Sequence, residues 1–391
     1  MYVVIGAGLA GLSAALSLQD AGREVALIDG ADRAGGRVAT DVIDGFVLDR
    51  GFQLLNLNYS EIKRLGIDSE LDFKVAPRTV GVSIDNRRYV LGDPRHAPLS
   101  VFSSQTGTLK EKASFLRYLA SKPQSNEDVE NHLLRCGTGS LYTKVLKPFL
   151  QGVFLTDPLN VSAIIGRQLI ESFITGKSGI PALGVGKFSD SLSRQVLDLR
   201  LNCQVEEIRA NRIITNQGEI KATKIILATD LTTAAQLLGA NQVKPLIRST
   251  TWYHVCKSAP TESAQLILDA QHRGPVTNSL VISNLSKQYA PANQNLISST
   301  TITHSSESEV RRHLALMWGS STENWQLIAK YEINSALPLF APGELAEKKS
   351  KFNEFIYCAG DYLSAPSQNG ALRSGRRAAQ ELMFDEGLQR S

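Results

Sequence analysis

The sequence predicts an α/β chain: a Rossmann-type, doubly wound nucleotide-binding domain with an inserted α+β domain that contains a mixed sheet and a helical region. Three observations carry that expectation. A short apolar strand, Tyr2-Val3-Val4-Ile5, runs directly into Gly6-Ala7-Gly8-Leu9-Ala10-Gly11, and a second apolar run ends on Asp29. Much later, Lys224 to Thr229 and Phe355 to Cys358 repeat the strand pattern, the first with the unbroken apolar core expected of a strand buried on both faces of a parallel sheet. The chain has 391 residues. A single core usually stops growing at about 250–300 residues, so two domains are expected.

Each part of the first motif has a physical job. Gly6 permits the tight exit from the strand, Gly8 lets backbone approach a pyrophosphate, and Gly11 lets the next helix pack closely on the sheet. The helix, from Leu9 to about Ala21, is rich in Ala and Leu and stops at Gly22, a left-handed cap. Its N-terminus points free amides and the positive end of its dipole at phosphates. Asp29, at the end of the second strand, is placed to accept hydrogen bonds from a ribose. The motif on its own leaves the choice of dinucleotide open.

The charge balance, 42 basic against 38 acidic residues, leaves a net +4 without a basic tract, so nucleic acid is not an implied partner. Cys136, Cys203, Cys256 and Cys358 form no Cys-x-x-Cys pair, which fits reduced thiols in a cytoplasmic protein. With six histidines and four cysteines at no ligand spacing, no metal site is expected. The first strand begins at residue 2 and is interrupted by phosphate-loop glycines, so it reads as neither signal peptide nor membrane span. No later stretch offers the ~18 apolar residues of a spanning helix. Peripheral contact with a membrane surface is left open, and oligomeric state is not legible.

Along the chain, Thr79–Ile84 and Arg88–Leu91 read as a hairpin turned through Asp85-Asn86. Leu109 to Gly176 reads as helices, with Ser125-Asn126-Glu127-Asp128 in the form of a capping box that opens a helix ending near Gly137. A helix over Ser162–Thr175 carries Ile164, Ile165, Leu169, Ile170 and Phe173 on one apolar face, for core packing or for lining a greasy substrate pocket. Strand patterns resume at Cys203–Ile208 and Arg212–Thr215, and Trp252, Trp318 and Trp325 are candidates for the core or for a cavity wall.

The two ends, read together, resemble the flavin-dependent amine oxidase superfamily, including phytoene desaturase-like and protoporphyrinogen oxidase-like proteins. The resemblance rests on Gly6-x-Gly8-x-x-Gly11, Arg33-x-Gly35-Gly36-Arg37-x-x-Thr40, Ala359-Gly360-Asp361 and Gly370-Ala371-x-x-Ser374-Gly375. Phe46 to Gln53, Ala336-Leu337-Pro338 and the Pro181-to-Gly186 turn also fit it, the last two more loosely. It implies FAD as the resident cofactor. By position, Gly36 and Arg37 run beside the diphosphate, Gly360 and Asp361 meet the ribityl and phosphate region, and Val205 contacts adenine through its backbone; Ala10 and Arg33 fall within the same motifs. Asp29 stands where members commonly have Glu, and the shorter acid still serves a ribose. A helix from about Asn369 would face the flavin, with Gly370, Ala371, Ser374 and Gly375 leaving room for the ring or simply packing tightly. The cysteine that tethers FAD covalently in some amine oxidases has no evident equivalent before Gly370, so binding is expected to be non-covalent.

Expected domains are 1–77, 181–246 and 345–391 for FAD, and 78–180 and 247–344 for substrate. Catalytic residues are not identified. Lys257 is a weak counterpart of the lysine that amine oxidases often hold near the flavin, and reads more readily as a solvated lysine; His254 and His304 are weak acid–base candidates. No Gly-x-Ser-x-Gly elbow and no second Gly-x-Gly-x-x-Gly occurs, which disfavours hydrolysis and a bound NADPH. The leading expectation is an FAD-dependent dehydrogenase or oxidase that removes hydride from an apolar or polyene-like small molecule, with oxygen, a quinone or another acceptor taking the electrons. Amine oxidation, reduced-flavin isomerisation and a non-catalytic flavin-binding role are the alternatives.

Overall fold

The computed structural model describes every residue except 68, 94, 96, 241–245 and 388–391. The outer ends of two expected FAD-binding segments, 241–245 and 388–391, therefore lie outside the described residues. Five strands form one sheet in the spatial order Leu199–Arg200, Val25–Ile28, Tyr2–Ile5, Ile225–Leu227, Ile356–Cys358. Every neighbouring pair is parallel. Numbered along the chain, that order is 3-2-1-4-5, the doubly wound arrangement in which ligands bind beyond the carboxyl ends of the strands, where the order reverses. Val3, Val4, Leu27, Ile225 and Leu227 have no solvent exposure, which accounts for their unbroken apolar patterns. An antiparallel three-stranded meander, Val205–Arg209, Arg212–Thr215 and Gly218–Lys221, precedes the fourth strand in the chain.

The first helix, Leu9–Asp20, packs along the C-terminal helix, Gln368–Asp385. Ala14, Ala15, Ala378 and Ala379 are fully buried around that contact. Small side chains bring the two helices close, and Gly22 ends the first with φ +71°.

A seven-stranded mixed sheet forms the second layer system, in the order Gln326–Pro338, Leu246–Cys256, Asn295–Thr301, Val276–Val281, Leu266–Asp269, Thr79–Ile84, Arg87–Gly92. Its edge hairpin turns at Asp85 (φ +49°) and Asn86 (φ +58°), the paired positive angles of a type I′ turn. Helix Glu307–Trp318, opened by a Ser306/Glu309 capping box, covers one face of this sheet. Trp252, Trp318 and Trp325 are buried together there, as core packing.

The helical region contains Leu109–Ala120, Val129–Arg135, Lys147–Phe154 and Ala163–Thr175. Ser125 does not cap the second of these. Asp128 does, accepting from the Asn131 N–H at 2.8 Å, because Glu127 is engaged by the Gln124 N–H and by Arg135. All four cysteines are buried and free. No described helix is long and apolar enough to cross a membrane.

One buried carboxylate fastens the two sheet systems together. Asp49 accepts from the Thr40 hydroxyl (2.6 Å), the Val185 N–H (2.9 Å) and the Tyr289 hydroxyl (2.7 Å). The Tyr253 hydroxyl donates to its main-chain carbonyl at 2.9 Å. Burial pushes the Asp49 carboxyl up to about 6, against the pull of its three donors. Between its ordinary 3.8 and about 6 the folded protein thus holds a proton that the unfolded chain has released. The associated stability is fully present below 3.8 and is lost as pH rises through about 6. Asp49→Asn should remove this slope, which a comparison of denaturant midpoints of the two proteins from pH 4 to 7 would show; parallel curves would refute it. Asp49→Ala strands three buried donors and should cost about 3 kcal/mol at any pH.

Candidate functional site

A cavity of about 1140 Å³ runs from the carboxyl ends of the parallel strands to the helical region. Small-molecule sites usually measure ~300–1,000 Å³, so this one has room for a dinucleotide with something beside it. Its first wall is the glycine loop, and the three glycines there are required for different reasons. A Cβ on Gly6, which has φ +103°, would lie 2.8 Å from the Ala228 carbonyl oxygen. One on Gly11 would collide with the Gly6 carbonyl oxygen. Gly8 has an ordinary φ of −73° and its Cβ would meet nothing within 4 Å. Chain geometry thus demands Gly6 and Gly11, whereas Gly8 only keeps the cavity open. The helix behind it starts with no side-chain cap, leaving its first amides free for an anion.

Asp29 lines the cavity with its carboxylate held by the Ala7 N–H (2.6 Å) and the Ala31 N–H (2.7 Å). A carboxylate has about four acceptor sites, so lone pairs remain for sugar hydroxyls. Gly36 and Arg37 border the same space. Arg37 donates to Asp361 Oδ1 at 2.8 Å and to the Ala336 carbonyl, clamping three distant parts of the chain around the cavity. Burial lowers its pKa and the Asp361 carboxylate more than offsets this, so the net shift is upward. Val205, Gly360, Ala10 and Ala371 also border the cavity.

Five expected site residues are elsewhere. Gly11 is below the loop, and Arg33 turns to Asp41 (2.7 Å) and the Thr40 carbonyl (3.2 Å). Gly370 is required by the Ala365 carbonyl oxygen, and Gly375 by that of Ala10. Ser374 accepts from the Gly360 N–H at 3.0 Å. Of the small residues on the last helix, Ala371 borders the cavity and these three pack or position.

None of the three weak catalytic candidates borders this cavity. Alternation along strand Leu246–Cys256 sends Ser249 and Thr251 to the cavity and His254 to the opposite face, under helix Glu307–Trp318. His254 is fully buried with Nε2 3.7 Å from Glu307, and burial, aided by Arg311, pushes it down to about 4. Lys257 lies past the strand's end, exposed. His304 contacts Arg248 outside the main cavity.

Several cavity residues were not anticipated from sequence. Asp230 borders it while capping helix Leu231–Leu237, and Gln368 donates to Gln53 Oε1 at 3.1 Å on its rim. Thr251, Asn278 and Thr300 form part of its floor. Asp230 follows a buried parallel strand, a position that doubly wound folds use for ligands. The floor residues are on separate strands and share no local motif.

A family model for flavin containing amine oxidoreductases matches residues 9–383. The chain belongs to this family. Polyamine oxidase 3 of Oryza sativa is 29% identical over 276 residues, which cover 64% of this chain and 54% of that protein. Hydroxysqualene dehydroxylase of Zymomonas mobilis is 29% identical over 224 residues, covering 54% and 53%. The matched stretch therefore spans about half the length of these curated relatives. An oxidoreductase from Methanosarcina mazei superposes with a TM-score of 0.77 over 98% of this chain and 99% of that one at 15% identity, the same fold.

The family to which the chain belongs is one of flavin-containing oxidoreductases. The cavity's first half fits FAD: uncapped amides and an open Gly8 for the diphosphate, and Asp29 for a ribose. Gly8→Val should leave the apoprotein within about 0.5 kcal/mol of wild-type apoprotein yet yield a colourless protein on purification, while Gly11→Ala should unfold it. Retained yellow colour in Gly8→Val would count against the phosphate loop. Arg37→Ala should weaken FAD at least about tenfold by fluorescence titration of the apoprotein, since a charge-assisted clamp is lost.

Proposed function

We propose that this chain removes hydride from an apolar, polyene-like small molecule. The observation that carries the reading is the far wall of the cavity. Phe149 and Val153 of helix Lys147–Phe154, Leu155 just after it, and Leu169 and Phe173 of helix Ala163–Thr175 border the space there. Phe149 and Phe173 meet edge to face, ring centres 5.8 Å apart at 77°. In this reading residues 1–77, 181–246 and 345–391 carry the cofactor, and 78–180 and 247–344 the substrate.

The charges bordering the cavity support the same reading. Asp29 is taken up by two backbone amides, Asp361 by Arg37, Asp230 by its own helix, and the exposed Glu332 by Lys330. Asp361 and Glu332 are thus paired with cations, Asp230 caps a helix, and Asp29, the carboxylate with lone pairs to spare, is the one suited to a ribose. Bound FAD would supply the two-electron acceptor for the hydride, and the adjoining carbon would lose a proton, which passes to solvent, as the double bond forms, so the reaction calls for no protein base. The chain's own work is to bind the hydrocarbon, orient one C–H bond and exclude water, which aromatic and aliphatic walls do by burial at roughly 25 cal/mol per Å². Oxygen or a quinone would take the electrons onward.

Similarity to a polyamine oxidase favours a second reading, amine oxidation. An anaerobic screen separates the two. Apolar polyenes should bleach the flavin, and aliphatic amines should not; hydrogen peroxide formed on adding amines in air would overturn the proposal. Phe173→Ala should lower kcat/KM for the bleaching compound about tenfold with FAD content unchanged, as loss of part of an apolar wall.

A further inference from the structure

The floor of the cavity is polar although the wall above it is not. Asn278, Thr300 and Thr251 sit side by side on three neighbouring strands, Asn278 registered with Thr300 and Thr300 with Thr251. All three border the cavity. Thr251 Oγ1 accepts from the Phe52 N–H at 3.2 Å. Asn278 Oδ1 and Thr300 Oγ1 have no hydrogen-bond partner among the described residues, although each residue is only 3% exposed. Buried polar atoms are nearly always paired, so two unpaired ones, on adjacent residues that border one cavity, point to a ligand.

The surroundings restrict what that ligand is. Gly152, in the same helix as Phe149 and Val153, keeps the space that the Asn278 carboxamide occupies; a Cβ there would collide with it. The polar pair thus sits at the foot of the apolar wall. A carboxamide oxygen accepts, and a threonine hydroxyl both donates and accepts. One neutral ligand hydroxyl satisfies both, donating to Asn278 and accepting from Thr300. A pure hydrocarbon leaves both unpaired, and an ammonium meets no carboxylate in this row.

We infer that Asn278 and Thr300 form a polar subsite that receives a hydroxyl group on an otherwise hydrocarbon substrate, an inference that rests on the apolar-substrate reading above. The test titrates FAD-loaded enzyme with dodecane, 1-dodecanol and dodecylamine, each delivered on cyclodextrin, and follows the flavin absorption spectrum. Wild type should bind the alcohol at least about tenfold more tightly than the alkane. Thr300→Val and Asn278→Leu should each narrow that ratio and together abolish it, with alkane affinity unchanged or improved. Thr300→Ser should keep it. Retained flavin and alkane affinity show that the variants are folded. Equal binding of alcohol and alkane by wild type, or variants that weaken both equally, would overturn the subsite and leave the apolar reading in place. Dodecylamine binding more tightly than either, or no spectral response to either apolar probe, would overturn the apolar reading itself.

Discussion

A side-chain carbon on Gly11 would collide with the carbonyl oxygen of Gly6, and one on Gly375 with the carbonyl oxygen of Ala10. These two contacts stack the C-terminal helix on the first helix, and the first helix on the loop that leaves the first strand. Everything around the nucleotide end of the cavity depends on this stack. It sets the helix N-terminus at the strand ends, where Gly8 borders an open space, and it brings Gly360 beside Ser374. Replacement at either contact cannot be absorbed by a rotamer change, because both partners are backbone.

Asp49 plays the corresponding part between the two sheet systems. It gathers a hydroxyl from Thr40, an amide from Val185 and a hydroxyl from Tyr289. A buried carboxylate is costly, and its raised pKa is the direct sign of that cost. Three donors converging on it make the position specific, since an apolar residue there would leave all three unsatisfied. The residues that follow, Arg50 to Leu54, border the cavity, so the same anchor holds the strip that links the cofactor and substrate sides.

What was legible in the sequence was legible because it is local. The strand, glycine loop and helix at residues 2–20 are contiguous, and Gly11 answers a steric demand only five residues away, at the Gly6 carbonyl oxygen. Asp85-Asn86 shows its turn for the same reason, since two adjacent residues must take positive φ. Resemblance extended this reach to Arg37 and Asp361, which meet across 324 residues. Where competition between neighbours decides, local reading failed. Asp128 and not Ser125 caps its helix, because Glu127 is taken by Arg135. His254 lost its candidacy to strand alternation, which places it on the face opposite Ser249 and Thr251 and so away from the cavity. The floor was illegible altogether: Thr251, Asn278 and Thr300 become neighbours only through sheet register.

That division of legibility follows a division of labour. The residues suited to FAD lie on the parallel sheet and its helices, and their carboxylates are held by partners nearby: Asp29 is hydrogen-bonded by loop amides, and Asp361 is ion-paired with Arg37. On the proposed reading the substrate meets residues of the inserted sheet and helices, where Phe149, Phe173 and their neighbours are constrained by mutual packing. A backbone-backbone contact tolerates no substitution, whereas an apolar wall tolerates any set of side chains that fills the volume. Chemistry is therefore fixed by the half of the cavity that cannot vary, and choice of substrate by the half that can. The polar floor is the informative exception, because a pair of unpaired buried groups is retained against its own cost only where something pairs with it.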